Sequence, residues 1–510
     1  MKRKTVYEIS GSRDGFGPSS LRRFIPKPMM MLAASIIAYI ALRIGSIWAL
    51  HLWGDEVFTY SLSQGPWLSL FKRAGLDMVH PPLFYLVLKL WIYLADSSMA
   101  GLRVFTVAIS LATIVPLILL GRELGFRTRV IVLALGLMAV NNYLILYSYY
   151  LRSYSLLLFF TLCSQVAFVK FLRSSKENER GTLLTLTVIN ILFVYTHYSA
   201  WLVVTAEFLW VAFMERRHLR RIAISSAITL LCFLPWVVII VYVSTKVPFT
   251  FWDKVSWYRP PHLQSLVFLL RCFNGGFESK WLTVAGSAVF LMILLLAVKY
   301  RDRESTSSEQ VQEASPDPYA LLACLSAFPI VVSLTVSYAF TWMWEPRYMI
   351  VAIGPYLLLV AACAFRFRSL PARAAALVFL VGWSSVAGFT DNLADALHGP
   401  NAPSYWLARD LARTETRTEG PIKIYGLSPY AEQGLRLALN LTGERRFKTI
   451  PDWADGPLAE DYSWIALTEH DPIAAARVKQ LAADPVYLLG EPIYSGEPPQ
   501  RHILISVRRR

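Results

Sequence analysis

The chain has 510 residues, 55% of them hydrophobic, with a mean hydropathy of +0.43 and a formal net charge of +15. That apolar share is more than one soluble domain carries, and its arrangement in repeated long runs reads as a polytopic membrane protein. The charge excess does not point to nucleic acid: residues 391–510 hold 14 Lys/Arg against 16 Asp/Glu, so +17 falls on residues 1–390, in short loops where basic side chains orient helices toward the cytoplasm.

Residues 1–28 are a basic tail with seven Lys/Arg between Met1 and Lys27. The run Met29 to Leu50 follows, and at 1.5 Å per residue it is long enough to cross about 30 Å of hydrocarbon. No small-residue cleavage site follows it, so it is read as a retained first span that starts in the cytoplasm. The first external loop, 51–100, then carries His51-Leu52-Trp53-Gly54-Asp55-Glu56 just past the membrane exit, and Val79-His80-Pro81-Pro82-Leu83-Phe84-Tyr85 after it. The segment His80–Leu94 opens with prolines, contains Lys89 and is short for a span. If it crossed, Arg122, Arg127 and Arg129 would face outward, so it is read as a juxtamembrane helix.

Further spans are expected at Arg103–Leu120, Val130–Tyr147, Tyr154–Val169, Leu183–Tyr195, Ala200–Phe213 and Ile222–Tyr242. An aromatic external loop at 243–280 precedes Trp281–Val298, and a polar cytoplasmic linker, Lys299–Pro318, precedes Tyr319–Tyr338, Tyr348–Ala364 and Ala374–Phe389. The count is about 11 spans within a membrane domain at 29–390. Within the loop, His262–Phe273 is too short to span comfortably and reads as a second surface helix. Many aromatic residues lie at run ends, as amphipathic rings do in the headgroup layer.

Residues 391–510 differ in kind. Ile422–Tyr425, Tyr462–Leu467, Val486–Leu489 and His502–Val507 read as strands, and Ala431–Asn440 and Pro472–Ala482 as helices, which makes a small external α/β domain. It has no dinucleotide fingerprint or P-loop. The five cysteines lie mostly inside apolar runs and form no metal-ligand or disulfide pattern.

The polar outliers fall on one side of this topology. Asp55 and Glu56, Asp77 and His80, Tyr149 to Tyr154 around Arg152, Tyr195 and His197, Tyr258 and Arg259, and Glu345, Arg347 and Tyr348 all sit at outer helix ends. A carboxylate there can take a proton from an acceptor hydroxyl, while an arginine holds the phosphate that leaves an activated sugar. Asp55 is the first choice for the base and Glu56 the second. Arg347, behind Pro346 at a helix opening, is the first choice for holding phosphate and Arg152 the second. His80, His197, Asp55 and Glu56 also offer nitrogen and oxygen donors, so a divalent metal ion stays open as a cofactor.

As a set, Trp53-Gly54-Asp55-Glu56, His80-Pro81-Pro82-Leu83-Phe84-Tyr85, Leu102-Arg103-Val104, Arg152-Ser153-Tyr154-Ser155-Leu156, Tyr195-Thr196-His197-Tyr198 and Arg347-Tyr348 resemble the C-type-fold membrane glycosyltransferases that use lipid-phosphate-linked sugars. The resemblance is to the group that includes bacterial protein mannosyltransferase-like and lipid A aminoarabinose transferase-like proteins, and it covers residues 30–390. It implies a polyprenyl-phosphate-sugar donor, a glycan, lipid or protein acceptor on the outer face of a bacterial inner membrane, and inverting transfer with Asp55 as general base. It also makes Glu56 and His80 site-lining residues. The chain departs from several members near Tyr149–Tyr154, where Arg152 and tyrosines stand in place of an acidic residue, so acceptor and metal do not carry over. A transporter is disfavoured because the ionisable groups lie at helix exits and no inverted halves are evident. A noncatalytic assembly factor would have no need of Asp55.

Overall fold

The computed structural model describes residues 28–45, 54–95, 98–246, 261–276, 279–299, 316–340, 344–398, 403–415, 422–427, 435–436, 438–439, 446–450, 462–468, 471–495 and 501–509. Residues 1–27 of the basic tail, Leu50, Tyr258, Arg259 and most of the linker 299–318 lie outside the described residues.

The chain forms α1 (Pro28–Ile44), then three short helices of the first loop, α2 (Gly54–Ser63), α3 (Trp67–Asp77) and α4 (Leu83–Leu94). After these come α5 (Met99–Ala112), α6 (Ile114–Glu123), α7 (Thr128–Val140), α8 (Asn142–Tyr149), α9 (Tyr154–Leu172), α10 (Glu179–Val194), α11 (Ala200–Met214) and α12 (Leu219–Ser244). The membrane region closes with α13 (Leu263–Asn274), α14 (Lys280–Lys299), α15 (Pro318–Ala339), α16 (Ile350–Ala364) and α17 (Leu370–His398). Among the described residues seven helices are long and apolar enough to cross a membrane, and eight if the bent α7–α8 pair is one span. The other three segments read as spans are helical too, but α1, α10 and α11 have 17, 16 and 15 described residues and fall short of that length. At 12 residues, about 18 Å, α4 is shorter than a membrane-crossing helix.

Burial sorts the bundle into an inner and an outer ring. Helices α9 and α16 are buried over most of their length, while α12, α14, α15 and α17 leave most of theirs bare, as lipid-facing helices do. The inner pair approaches closely at Gly354, where a Cβ would lie 2.8 Å from the Leu162 side chain; small residues permit such contacts between helices in lipid. One polar cluster in this interior is paired across helices: Ser164 Oγ lies 2.6 Å from Asn190 Oδ1 and 2.8 Å from Glu207 Oε1, joining α9, α10 and α11.

The sequence reads Val130–Tyr147 as one span, but the chain bends by 65° between α7 and α8. Asn141 is the cause. Its backbone is extended, its Oδ1 caps the Leu144 N–H of α8 (2.9 Å), and its Nδ2 donates to the Cys272 carbonyl (3.0 Å). The carbonyls freed at the end of α7 are met by Arg43, which is fully buried and donates to Met138 O (3.0 Å) and Ala139 O (3.3 Å). A cation at a helix carboxyl terminus satisfies both the orphan carbonyls and the dipole. The bend carries α8 outward toward the turn that bears Arg152.

The carboxyl-terminal domain contains α18 (Pro403–Thr414), β1 (Ile422–Gly426), β2 (Phe447–Ile450), β3 (Tyr462–Thr468), α19 (Pro472–Ala483), β4 (Tyr487–Leu489), β5 (Ile493–Ser495) and β6 (His502–Arg509). The sheet order is β2-β1-β3-β6-β4, with β5 also on β6; β1 is parallel to β2 and β3, and the pairs with β6 are antiparallel. β4 and β5 lie along one edge of β6 and are separated at Gly490-Glu491-Pro492, where proline has no N–H to give the ladder. Alternate residues face opposite layers. Ile424, Trp464 and Leu504 pack with Leu407 and Leu411 of α18, whereas Tyr425, Ile465 and Val507 pack with Leu481 of α19.

Candidate active site

Four turns and one helix start converge at one end of the bundle. Asp55 and Glu56 occupy the first turn of α2, and neighbours on a helix point about 100° apart, so they face different surroundings. The Asp55 side chain is 47% exposed, and Glu56 is 2% exposed. Glu56 turns into the bundle and forms an ion pair with Arg103 of α5, itself 1% exposed, with Arg103 Nη2 donating to Oε2 at 3.2 Å. Glu56 Oε1 also accepts the Leu151 N–H at 2.6 Å, which pins the 150–153 turn beneath α2.

Arg152 in that turn reaches back toward Asp55. Its Nη1 donates to the Asp55 carbonyl oxygen (3.3 Å) and to Thr59 Oγ1 (3.1 Å), and its Nη2 to His80 Nε2 (3.2 Å). Thr59 itself donates to Asp55 O at 2.8 Å. Arg347 follows Pro346 in a short 3-10 turn, Pro346–Met349, that leads into α16. Its Nη1 lies 3.3 Å from Asp55 Oδ2, its Nε lies 3.6 Å from Glu345 Oε1, and its carbonyl accepts the Tyr143 hydroxyl at 3.0 Å. Tyr348 packs beside His197 with the rings tilted by 54° and their centroids 4.6 Å apart.

Two loops meet through a backbone bond. Pro81 and Pro82 bring no N–H to the start of α4, and the Leu83 N–H is accepted by Tyr195 O at 3.0 Å. That contact sets His80 near His197, with ring centroids 5.3 Å apart. The Tyr195 hydroxyl itself points elsewhere, donating to Cys232 O at 2.8 Å on the flank beside Phe233. A narrow, closely packed crevice lined by Thr59, His80, Pro81, Phe84, Tyr85, Arg152 and Ser153 lies beside these groups.

Burial pushes the Asp55 carboxyl up, but the Arg152 and Arg347 guanidinium groups outweigh it and hold Asp55 below the ordinary aspartate range. Burial, then the Arg152 charge, pushes His80 down, and burial with the same cationic neighbourhood pushes His197 well down, so both are neutral at pH 7. The tautomer of His197 follows from its partners. The Ser199 N–H donates to Nδ1 at 3.1 Å, which leaves the proton on Nε2. That Nε2 is buried without a hydrogen-bond partner, as are the Tyr154 hydroxyl, Ser153 Oγ and Trp344 Nε1. Unsatisfied polar atoms are costly when buried, and their grouping around two arginines suits an anionic or hydroxyl-rich ligand.

The four donors considered for a metal are divided: both His80 nitrogens are in hydrogen bonds, and Glu56 is sealed against Arg103. Among the described residues no three His, Cys, Asp or Glu side chains form a metal cluster. Thr59 and Ser153 join the site beyond the polar residues singled out for it from the sequence. Thr59 was legible in principle, since i+4 from Asp55 shares a helix face.

No protein-family model matches the chain, and no curated protein matches it by sequence. Solved structures do. ArnT from Cupriavidus metallidurans bound to undecaprenyl phosphate is similar with a TM-score of 0.58 at 13% identity, over 94% of this chain and 97% of that one. The apo state of the same protein gives 0.56 at 14% identity over the same shares. The chain is therefore a multi-pass helical protein with the C-type glycosyltransferase fold that its motifs resemble, including the small carboxyl-terminal α/β domain.

Proposed function

We propose that the protein is an inverting glycosyltransferase that moves a hexosyl or pentosyl group from a polyprenyl-phosphate-linked donor to a glycan, lipid or protein hydroxyl on the outer side of a bacterial inner membrane. The observation that carries this reading is the half-exposed Asp55 carboxylate held 3.3 Å from Arg347, with Arg152 against the same helix turn. The bound undecaprenyl phosphate of ArnT supports a donor of that class.

In this reading the donor phosphate competes with Asp55 for Arg347. Once Arg347 turns to phosphate, Asp55 loses one of the cations that depress it and becomes a stronger base. The acceptor hydroxyl gives its proton to Asp55 as its oxygen bonds to the anomeric carbon from the face opposite phosphate. The bond from that carbon to phosphate oxygen breaks, its electron pair stays on the phosphate, and the arginines hold the added charge. His197 Nε2–H and the Tyr154 hydroxyl are free to donate to the same ligand. Glu56 serves as a positioning group through Arg103 and Leu151 rather than as a second base.

The test is a transfer assay on the purified protein, with short-chain polyprenyl-phosphate sugars and nucleotide sugars as parallel donor panels. Transfer from the lipid-linked panel is expected. Preference for nucleotide sugars would overturn the reading.

A further inference from the structure

The turn between α3 and α4 is built with unusual care for a loop. Asp77 closes α3, and Met78 follows with φ +59°, the one non-glycine residue with positive φ among the described residues. Such a conformation persists where its surroundings enforce it. Here the Met78 carbonyl accepts the Tyr198 hydroxyl at 3.0 Å, and that hydroxyl accepts the Trp236 indole N–H at 3.2 Å. The turn delivers Asp77 Oδ2 to His80 Nδ1 at 3.3 Å, and Tyr85 donates to the same oxygen at 3.5 Å.

The other face of the imidazole meets a group that can only donate. Arginine has five N–H donors and no acceptor, so the 3.2 Å contact between Arg152 Nη2 and His80 Nε2 requires a bare Nε2. A neutral His80 then carries its proton on Nδ1, where Asp77 accepts it.

We infer that Asp77 and His80 are a positioning pair, in which Asp77 fixes the Nδ1–H tautomer of His80 so that Nε2 holds the Arg152 guanidinium against Asp55. Arg152 has two further anchors, Asp55 O and Thr59 Oγ1, both on α2. His80 is the anchor from the opposite side, and without it the guanidinium is free to swing away from the crevice. An amide at position 77 can offer its NH2 to Nδ1. The imidazole then moves its proton to Nε2, and donor faces donor at Arg152.

The role of the pair in turnover rests on the proposed transferase reading, but its tautomer does not. In 15N-histidine-labelled protein the imidazole nitrogen shifts distinguish Nδ1–H from Nε2–H, with the His80 signal assigned by its loss in His80→Gln. The wild type is expected as Nδ1–H, and Asp77→Asn is expected to shift toward Nε2–H. In transfer assays Asp77→Asn should lower kcat/KM by about 10- to 100-fold, the cost of a lost hydrogen bond to a charged group. In a His80→Gln background, where the amide oxygen accepts from Arg152 without any tautomer to fix, the same Asp77→Asn change should cost less than about threefold more. A purely structural Asp77 would cost the same in both backgrounds, and that equality would overturn the inference. So would an Nε2–H signal in the wild type. Absence of transfer from any lipid-linked sugar, with His80 found as Nδ1–H, would remove the transferase reading and leave the pair standing.

Discussion

Glu56→Gln separates a structural carboxylate from a chemical one. Glu56 and Arg103 are both almost fully buried, and Glu56 also accepts the Leu151 N–H. Removing one partner of a buried ion pair costs about 3–5 kcal/mol, because the other charge stays behind without compensation. The glutamine oxygen can still accept from Leu151 or Arg103, so the loss should fall near 3 kcal/mol, whereas Glu56→Ala should approach 5 kcal/mol. Unfolding in detergent, followed by turnover per folded molecule, reads the two effects apart. A lower unfolding midpoint is expected, with turnover reduced through a displaced 150–153 turn by less than about 100-fold. An unchanged midpoint with turnover lost by more than that would make Glu56 a reacting group and refute the positioning role.

Two further outcomes follow. Asp55 acts as a base when ionised, and its depressed pKa keeps it ionised until the pH falls below the ordinary aspartate range. The acid limb of kcat/KM should therefore lie low and move to higher pH in Arg347→Gln, which removes one of the depressing cations; a limb that stays put would mean another group titrates there. Impermeant labelling should place position 310 in the cytoplasm and position 450 outside, because basic loops alternate along the chain. Finding both on one side would defeat that topology.

The spans were legible because lipid demands long apolar runs with basic ends, and among the described residues seven or eight of the eleven expected segments are helices long enough to cross. What hydropathy could not show is where a run bends. Asn141 averages out in a window of apolar neighbours, yet it caps α8 and turns the chain by 65°. Arg43 was likewise lost inside the first run, although a charge buried there must meet acceptors, and the end of α7 supplies them. In the carboxyl-terminal domain β1, β3, β4 and β6 were readable. β2 and β5 were not read: β2 alternates Lys448 with Phe447 and Thr449 without a clear apolar face, and β5 exists only as an extension of the β4 edge past Pro492.

The candidate residues were legible as a set of helix ends on one side of the bundle but not as a set of partners. Asp55, His80, Arg152, His197, Arg347 and Tyr348 do come together, while the Tyr195 hydroxyl faces the flank. Sequence adjacency gave no reason to separate Asp55 from Glu56. The 100° step of a helix does so, turning one toward Arg347 and the other toward Arg103.

The central claim is that Asp55 takes the acceptor proton, and Asp55→Asn tests it most directly. The amide keeps the shape and can still accept from Arg347, so the protein should insert and unfold as the wild type does. Transfer from a polyprenyl-phosphate sugar, measured per folded molecule, should fall by roughly 100-fold or more, the usual share of a general base. A folded Asp55→Asn protein with normal turnover would contradict the account.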